Sequence, residues 1–130
     1  MFILGLILST SSLALSTDSG PENITLKSSD SSKKDPAVFP HLKHQETLSC
    51  GECHHAMVDG KQEAYTEDME IQKCESCHNP EILGGKKEGK YKLDTFKGAG
   101  HGNCLVCHKK IAKEDSSKKK LKSCKTCHQK

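Results

Sequence analysis

Four copies of the pattern Cys-x-x-Cys-His are the most informative feature of this 130-residue sequence. Two thiols three positions apart lie on one side of a single helical turn, and the next residue lies close to the same face. Both thiols can therefore add to the vinyl groups of one porphyrin while the histidine reaches its iron. This spacing is typical of c-type haem attachment. The copies contain Cys50, Cys53 and His54; Cys74, Cys77 and His78; Cys104, Cys107 and His108; and Cys124, Cys127 and His128.

Two other uses of paired cysteines compete with haem. Small secreted domains often contain disulfides, and two Cys-x-x-Cys units can bind one zinc ion. Neither use predicts a histidine after every second cysteine, and only 8 of the 130 residues are histidine. All eight cysteines belong to the four copies. The sequence therefore predicts four covalently bound haem c groups.

Four further histidines match the number of sixth iron ligands that four haems need: His41, His44, His55 and His101. Each alone could be an ordinary surface side chain, and Met57 and Met69 are rival ligands. The matched number favours two histidines on every iron. Such irons are closed to oxygen or substrate and have low potentials. We therefore expect an electron carrier and no catalytic residues; the alternative is a terminal reductase of metal ions or other acceptors, which needs a displaceable ligand.

The segments around these motifs are short and polar. Residues 1–16 contain an apolar run that predicts a cleaved signal peptide, and hence export to the periplasm. A buried helix or an uncleaved membrane anchor is the alternative. Residues 17–35 predict a loosely structured N-terminal lead, and residues 36–130 predict the haem domain. Within the lead, residues 24–26 predict a strand that pairs with residues 37–39. Elsewhere the prolines and glycines leave room only for short helices. Residues 86–92 predict a solvated loop, and residues 98–102 predict a flexible approach to the third cysteine pair.

The order of these motifs resembles the class III multihaem cytochromes c, the tetrahaem cytochromes of sulfate reducers and their trihaem relatives in metal reducers. Residues 38–44 (VFPHLKH), followed by residues 50–55 (CGECHH), resemble the opening of that family. Residues 99–108 and the final motif resemble the trihaem branch in particular. Unlike that branch, this sequence retains the second motif and His55.

The sequence features predict a small, mostly irregular fold with short α-helices and an N-terminal two-stranded β-hairpin, organised around four haems. The resemblance adds a set of iron ligands. Phe39 resembles a family aromatic that packs near the first haem, although simple core packing would also explain it. The implied ligand pairs are His41 with His54, His55 with His78, His44 with His108, and His101 with His128.

The charge of the chain is unevenly distributed. Residues 109–130 contain nine lysines and two acids, a local charge of +7, whereas residues 44–75 contain eight acids and two lysines, a local charge of −6. The lysines predict a docking surface for an acidic redox partner near the fourth haem, although a solvated surface paired with haem propionates would look the same. The resemblance suggests hydrogenase or outer-membrane cytochromes as partners. Arginine is absent and no nucleic-acid motif occurs, so nucleic acid is not expected.

Crowding of four haems predicts that electron and proton binding are coupled. With roughly 28 residues per haem, the irons must lie close together, so reducing one makes its neighbours harder to reduce. The added electron also raises the pKa of nearby propionates, so reduction takes up protons. We expect the midpoint potentials to fall as the pH rises between about 5 and 8. Redox titrations across that range test this, and constant potentials would contradict it.

Overall fold

The computed structural model describes residues 19–28 and 36–129, which form short elements joined by turns. None of the described helices is long and apolar enough to cross a membrane. The predicted signal peptide, 1–16, lies outside the described residues. The strands are β1 (Asn23–Leu26), β2 (Ala37–Pro40), β3 (His55–Val58), β4 (Lys61–Ala64), β5 (Lys87–Glu88) and β6 (Tyr91–Lys92). The α-helices are α1 (His41–Gln45), α2 (Pro80–Leu83), α3 (Phe96–Glu114) and α4 (Cys124–Cys127), and 3₁₀ turns cover Cys50–Glu52, Cys74–Ser76 and Ser116–Lys122.

The N-terminal hairpin has the pairing that the sequence predicts. Strands β1 and β2 are antiparallel, with Ile24 opposite Phe39 and Leu26 opposite Ala37. Helix α1 follows β2 without a loop, and its Leu42 amide donates to the carbonyl oxygen of Glu22 at 3.1 Å. The hairpin therefore fixes the start of the helix that carries His41 and His44.

Helix α3 is longer than the short helices that the sequence predicts, and it extends over a segment that we predicted to be flexible. It spans 19 residues and includes residues 98–102, which we predicted to be a flexible approach. The side chain of Thr95 caps its first turn by accepting a hydrogen bond from the Gly98 amide at 3.0 Å. The helix has almost no amphipathic character, so its apolar residues form no stripe that periodicity could detect.

The lysine-rich segment after α2 is exposed, as predicted, but it is a hairpin instead of an irregular loop. Strands β5 and β6 pair antiparallel, and Gly89 in the turn between them has a positive φ of 55°. Glycine adopts that conformation without the strain that a Cβ would introduce. The hairpin packs against the start of α3, so closely that a Cβ on Gly98 would overlap the carbonyl oxygen of Lys92.

The described polypeptide has almost no hydrophobic interior. Leu83 and Ala112 are its two buried apolar side chains, and no polar side chain is buried within the described residues. Large apolar side chains such as Val106 and Val58 are 59% and 50% exposed. Apolar burial normally provides the main driving force for folding, so most of the packing in this protein must come from elsewhere.

The contact between α3 and the β5–β6 hairpin yields a test of the fold. We expect Gly98→Ala to destabilise the haem-loaded protein by about 1–3 kcal/mol, because the new methyl group must push the Lys92 backbone away. Gly100→Ala is the matched control, since a Cβ there meets nothing within 4 Å and alanine is the better helix former by about 1 kcal/mol. Thermal unfolding followed by circular dichroism measures both. Equal stabilities of the two variants would contradict this packing.

Candidate haem sites

Each Cys-x-x-Cys-His motif folds as one helical turn. In three of them the histidine amide donates to the carbonyl oxygen of the first cysteine: His54 to Cys50 at 2.8 Å, and His78 to Cys74 and His128 to Cys124 at 2.9 Å each. The remaining motif, residues 104–108, lies within α3. The turns therefore have the helical geometry that puts both sulfurs and the histidine on one side of the backbone.

The sulfurs are not arranged for the two competing uses. All eight cysteines lie among the described residues, and none is paired in a disulfide. Across the described part of the chain, no three His, Cys, Asp or Glu side chains come together in a way that could hold a metal ion. A structural zinc site needs four such ligands.

The motifs nevertheless come close in space, since a cysteine of each of the other three motifs lies near Cys104. Burial is the main reason that the pKa of the Cys104 thiol is raised to about 11, and Cys53, Cys127 and Cys74 raise it further. These three sulfurs belong to the three other motifs. The third motif therefore lies within electrostatic reach of all the others, which places the four candidate sites close together.

The eight histidines form four pairs, and each pair contains one histidine of a motif. The two ring centroids are 6.1 Å apart in His41–His54 and His44–His108, 5.9 Å apart in His55–His78 and 6.3 Å apart in His101–His128. These are the same four pairs that the resemblance implies. The two histidines of a pair are between 13 and 64 positions apart in the sequence, so each pair joins different segments of the chain.

Several rings have their second nitrogen fixed by the backbone. Nδ1 of His78 donates to the carbonyl oxygen of Leu93 at 2.8 Å, and Nδ1 of His44 donates to that of Pro40 at 2.9 Å. His41 makes the same kind of bond, at 3.1 Å, to Pro21. A carbonyl oxygen can only accept, so the proton must be on Nδ1 and Nε2 keeps its lone pair. Metal-bound histidines are commonly oriented in this way.

Burial, with a smaller effect of pairing, lowers the pKa values of four of the histidine rings and so favours their neutral form. Burial lowers the pKa of His101 below its usual value, and the neighbouring His128 lowers it further. The pKa of His108 is lowered first by burial and then by His44, against a smaller opposite effect of the Leu121 backbone. Burial and neighbouring histidines lower the pKa values of His54 and His55 in the same way. A neutral ring is the form that binds a metal, so these environments favour ligation.

Comparison with known proteins decides what kind of protein these motifs belong to. Residues 19–128 match the model of the class III cytochrome c family. This chain belongs to that family. It is 34% identical over 102 residues to a protein named cytochrome c3 from Nitratidesulfovibrio vulgaris (strain Hildenborough), an alignment that covers 74% of this chain and 72% of the relative. No solved structure matches with comparable significance. The protein is therefore a multihaem cytochrome that binds haem c and transfers electrons.

The ring spacings in this class III cytochrome suit an iron between two imidazoles. Bonds from histidine nitrogen to first-row metals are about 2.0–2.1 Å, and about 1 Å more separates each nitrogen from its ring centre, so two axial rings are about 6 Å apart. The four measured separations, 5.9–6.3 Å, agree with this value. The donor set also fits, because two thiols and one imidazole per motif are what haem c requires.

A cavity of about 220 Å³ lies at the second site of the cytochrome, lined by His55, His78 and both cysteines of that motif. Met57 lines the same cavity. It is two residues after His55 on β3, and residues at that spacing share a face of a strand. Of the two methionines considered as rival ligands, Met57 therefore lies at this site, on the same face of the strand as His55. The cavity lining does not include Met69.

Two aromatic side chains pack against the paired histidines. The ring of Phe39 lies 4.6 Å from that of His44 and 5.8 Å from that of His41, so it contacts two sites at once. Tyr65, which the sequence analysis did not single out, lies 6.1 Å from His54. Tyr65 follows β4 at the end of the β3–β4 hairpin, and nothing in the local pattern distinguishes it from a surface tyrosine.

Proposed function

We propose that this cytochrome carries four haem c groups, each iron bound by two histidines, and works as a low-potential electron carrier of anaerobic respiration in the periplasm. The observation that supports this most directly is the set of four histidine pairs at 5.9–6.3 Å. Periplasmic location follows from the apolar run of residues 2–15, which suits an export signal.

The residues that would hold the haems follow from the motifs and the pairs. The eight cysteines attach the porphyrins in the pairs 50/53, 74/77, 104/107 and 124/127. His54, His78, His108 and His128 bind the irons on one side. His41, His55, His44 and His101, in that order, bind the same four irons on the other side. When bound, haem supplies an iron that gains and loses one electron; the chain holds the porphyrin and occupies both axial positions.

Closed axial positions favour electron transfer over substrate chemistry. An iron with two imidazoles has no position for an acceptor molecule, so electrons must leave through the porphyrin edge. Neighbouring histidines serve different irons, since His54 pairs with His41 while His55 pairs with His78. Phe39 lies beside the ligands of two irons. Short connections of this kind suit transfer among the haems of one molecule.

Intact mass and carbon monoxide binding test the proposal together. We expect the purified protein to carry the mass of four haems and, when reduced, to bind little carbon monoxide. His101→Ala should leave the haem number unchanged and allow about one carbon monoxide per molecule, because it removes one axial ligand from a helical position that accepts alanine. Lys109→Ala, on the same helix, is the control and should behave as the wild type.

Other outcomes would point elsewhere. Stoichiometric carbon monoxide binding by the wild-type protein would favour the terminal reductase, because at least one iron would then have a displaceable ligand. A mass corresponding to fewer haems would contradict the four-haem assignment. Folded, colourless protein would contradict haem binding altogether.

The Lys-rich face supports a proposal about partners. This face comprises the exposed lysines Lys109, Lys110, Lys113, Lys118, Lys119, Lys120, Lys122 and Lys125. Part of the Lys-rich face lies beside proposed iron ligands. The backbone of Leu121, between Lys120 and Lys122, contacts His108, and Lys125 lies inside the last motif. Positive charge at a haem edge attracts an acidic redox protein and speeds its encounter. Periplasmic hydrogenase or an outer-membrane cytochrome would suit this surface.

Neutralising the Lys-rich face tests that docking. We expect the substitution of Lys118, Lys119, Lys120 and Lys122 by glutamine to slow reduction by a hydrogenase about tenfold at low ionic strength, with the difference lost in high salt. A control with Lys87, Lys90, Lys92 and Lys97 replaced by glutamine changes the net charge equally. Stopped-flow rates over a range of salt concentrations measure both. If the two variants behave alike, net charge and not this face controls the rate.

A further inference from the structure

The segment between β4 and the second motif is an exposed acidic loop. This acidic loop, residues 66–71, has exposed carboxylates at Glu67, Asp68 and Glu70 and an isoleucine, Ile71, that is 48% exposed. A backbone hydrogen bond from Met69 to Thr66, at 3.1 Å, forms its turn. Hydrogen bonds from Thr66 and from its own backbone lower the pKa of Asp68, so this exposed carboxylate is negatively charged at neutral pH.

Both ends of the acidic loop lie at candidate haem sites. Tyr65, directly before it, packs 6.1 Å from the ring of His54 at the first site. Gln72, directly after it, lines the cavity that contains His55 and His78 at the second site. A molecule bound to the loop would therefore lie beside two haems.

The Lys-rich face lies beside the two other sites and has the opposite charge. Its lysines follow His108 and surround the motif of His128. Residues 109–130 have a local charge of +7, and the four propionates of the third and fourth haems would reduce it to +3. Propionates of the first two haems would only add to the −6 of residues 44–75. The two surfaces thus remain complementary when haem is counted.

We propose that the acidic loop is a second docking surface, whose partner is the Lys-rich face of another copy of this chain, and that electrons pass between the copies there. The inference rests on the proposed four-haem function. In each transfer one ferrous haem is oxidised and one ferric haem of the other copy is reduced, with no bond made or broken. The loop of one copy would bring its first or second haem next to the third or fourth haem of its neighbour.

Electron self-exchange measures this contact directly. In partly reduced protein, the broadening of the haem proton resonances gives the rate of exchange between molecules. We expect that rate to fall steeply as salt is added to the wild-type protein, because screening weakens the attraction. The triple substitution Glu67→Lys, Asp68→Lys and Glu70→Lys should lower it about tenfold at low ionic strength. The triple substitution of Lys118, Lys119 and Lys120 by glutamate should have the same effect.

Two controls separate docking from net charge. Replacing Glu22, Glu81 and Glu88 by lysine changes the net charge as much as the loop variant does, but these exposed residues lie outside both the acidic loop and the Lys-rich face. This net-charge control should leave the rate within about twofold of the wild type. At low ionic strength, sedimentation should show association in a mixture of the loop variant and the glutamate variant but not in either alone. The net-charge control variant, mixed with the variant that has glutamate at positions 118–120, should associate less than the loop variant does in the same mixture.

The proposal is overturned if wild-type self-exchange does not slow in salt, a result that depends on no variant. It is also overturned if the loop variant exchanges as fast as the wild type, or if the control variant slows equally. Haem content and carbon monoxide binding are measured on every sample. Fewer than four haems or stoichiometric carbon monoxide binding in the wild type would contradict the proposed function. Four haems and little carbon monoxide binding, with self-exchange unaffected by salt or by the loop substitutions, would contradict only the docking between copies.

Discussion

The constraint on which this structure depends is the pairing of histidines at a separation that suits one metal ion. With only two buried apolar side chains among the described residues, the polypeptide lacks the interior that normally holds a domain of this size together. In the proposed arrangement, each iron would join two segments of chain, and thioether bonds would attach each porphyrin to the motif that supplies one of the two histidines, so the haems would provide cross-links in its place. Large apolar side chains that are exposed in the polypeptide, Val106 for example, then suit contact with porphyrin.

The pairing explains why so little regular structure is sufficient. Helix α1 holds His41 and His44 one turn apart, yet their partners, His54 and His108, are on different motifs. His54 and His55 are adjacent in sequence and also have different partners. In the proposed arrangement, helix α1 and the segment at residues 54–55 would therefore each be fixed by two sites at once. Cross-links shared in this way make the sites interdependent, because a change in one ligand moves the element that carries the next.

Sequence patterns predicted those features that depend on local spacing. The attachment motifs follow from Cys-x-x-Cys-His, and the N-terminal hairpin from the alternation at Ile24 and Leu26. The pairing of histidines was implied only by resemblance, since spacing alone cannot connect His44 with His108. Helix α3 could not be predicted because its apolar residues form no stripe, and Gly98 looks like a helix breaker until its close approach to Lys92 is known. Tyr65 gave no signal because its role is a tertiary contact.

The distribution of charge would make the proposed haems unequal in their affinity for electrons. An electron is stabilised by nearby positive charge and destabilised by negative charge. The acids of residues 44–75 enclose the first two motifs, and the lysines of residues 109–130 follow the third and surround the fourth. In the proposed arrangement, the field of the polypeptide would therefore favour electrons at the irons bound by His108 and His128 over those bound by His54 and His78. Solvent screens exposed charges, so the preference of electrons for one set of haems is modest. It favours movement of electrons from the haems near the acidic loop toward those near the Lys-rich face.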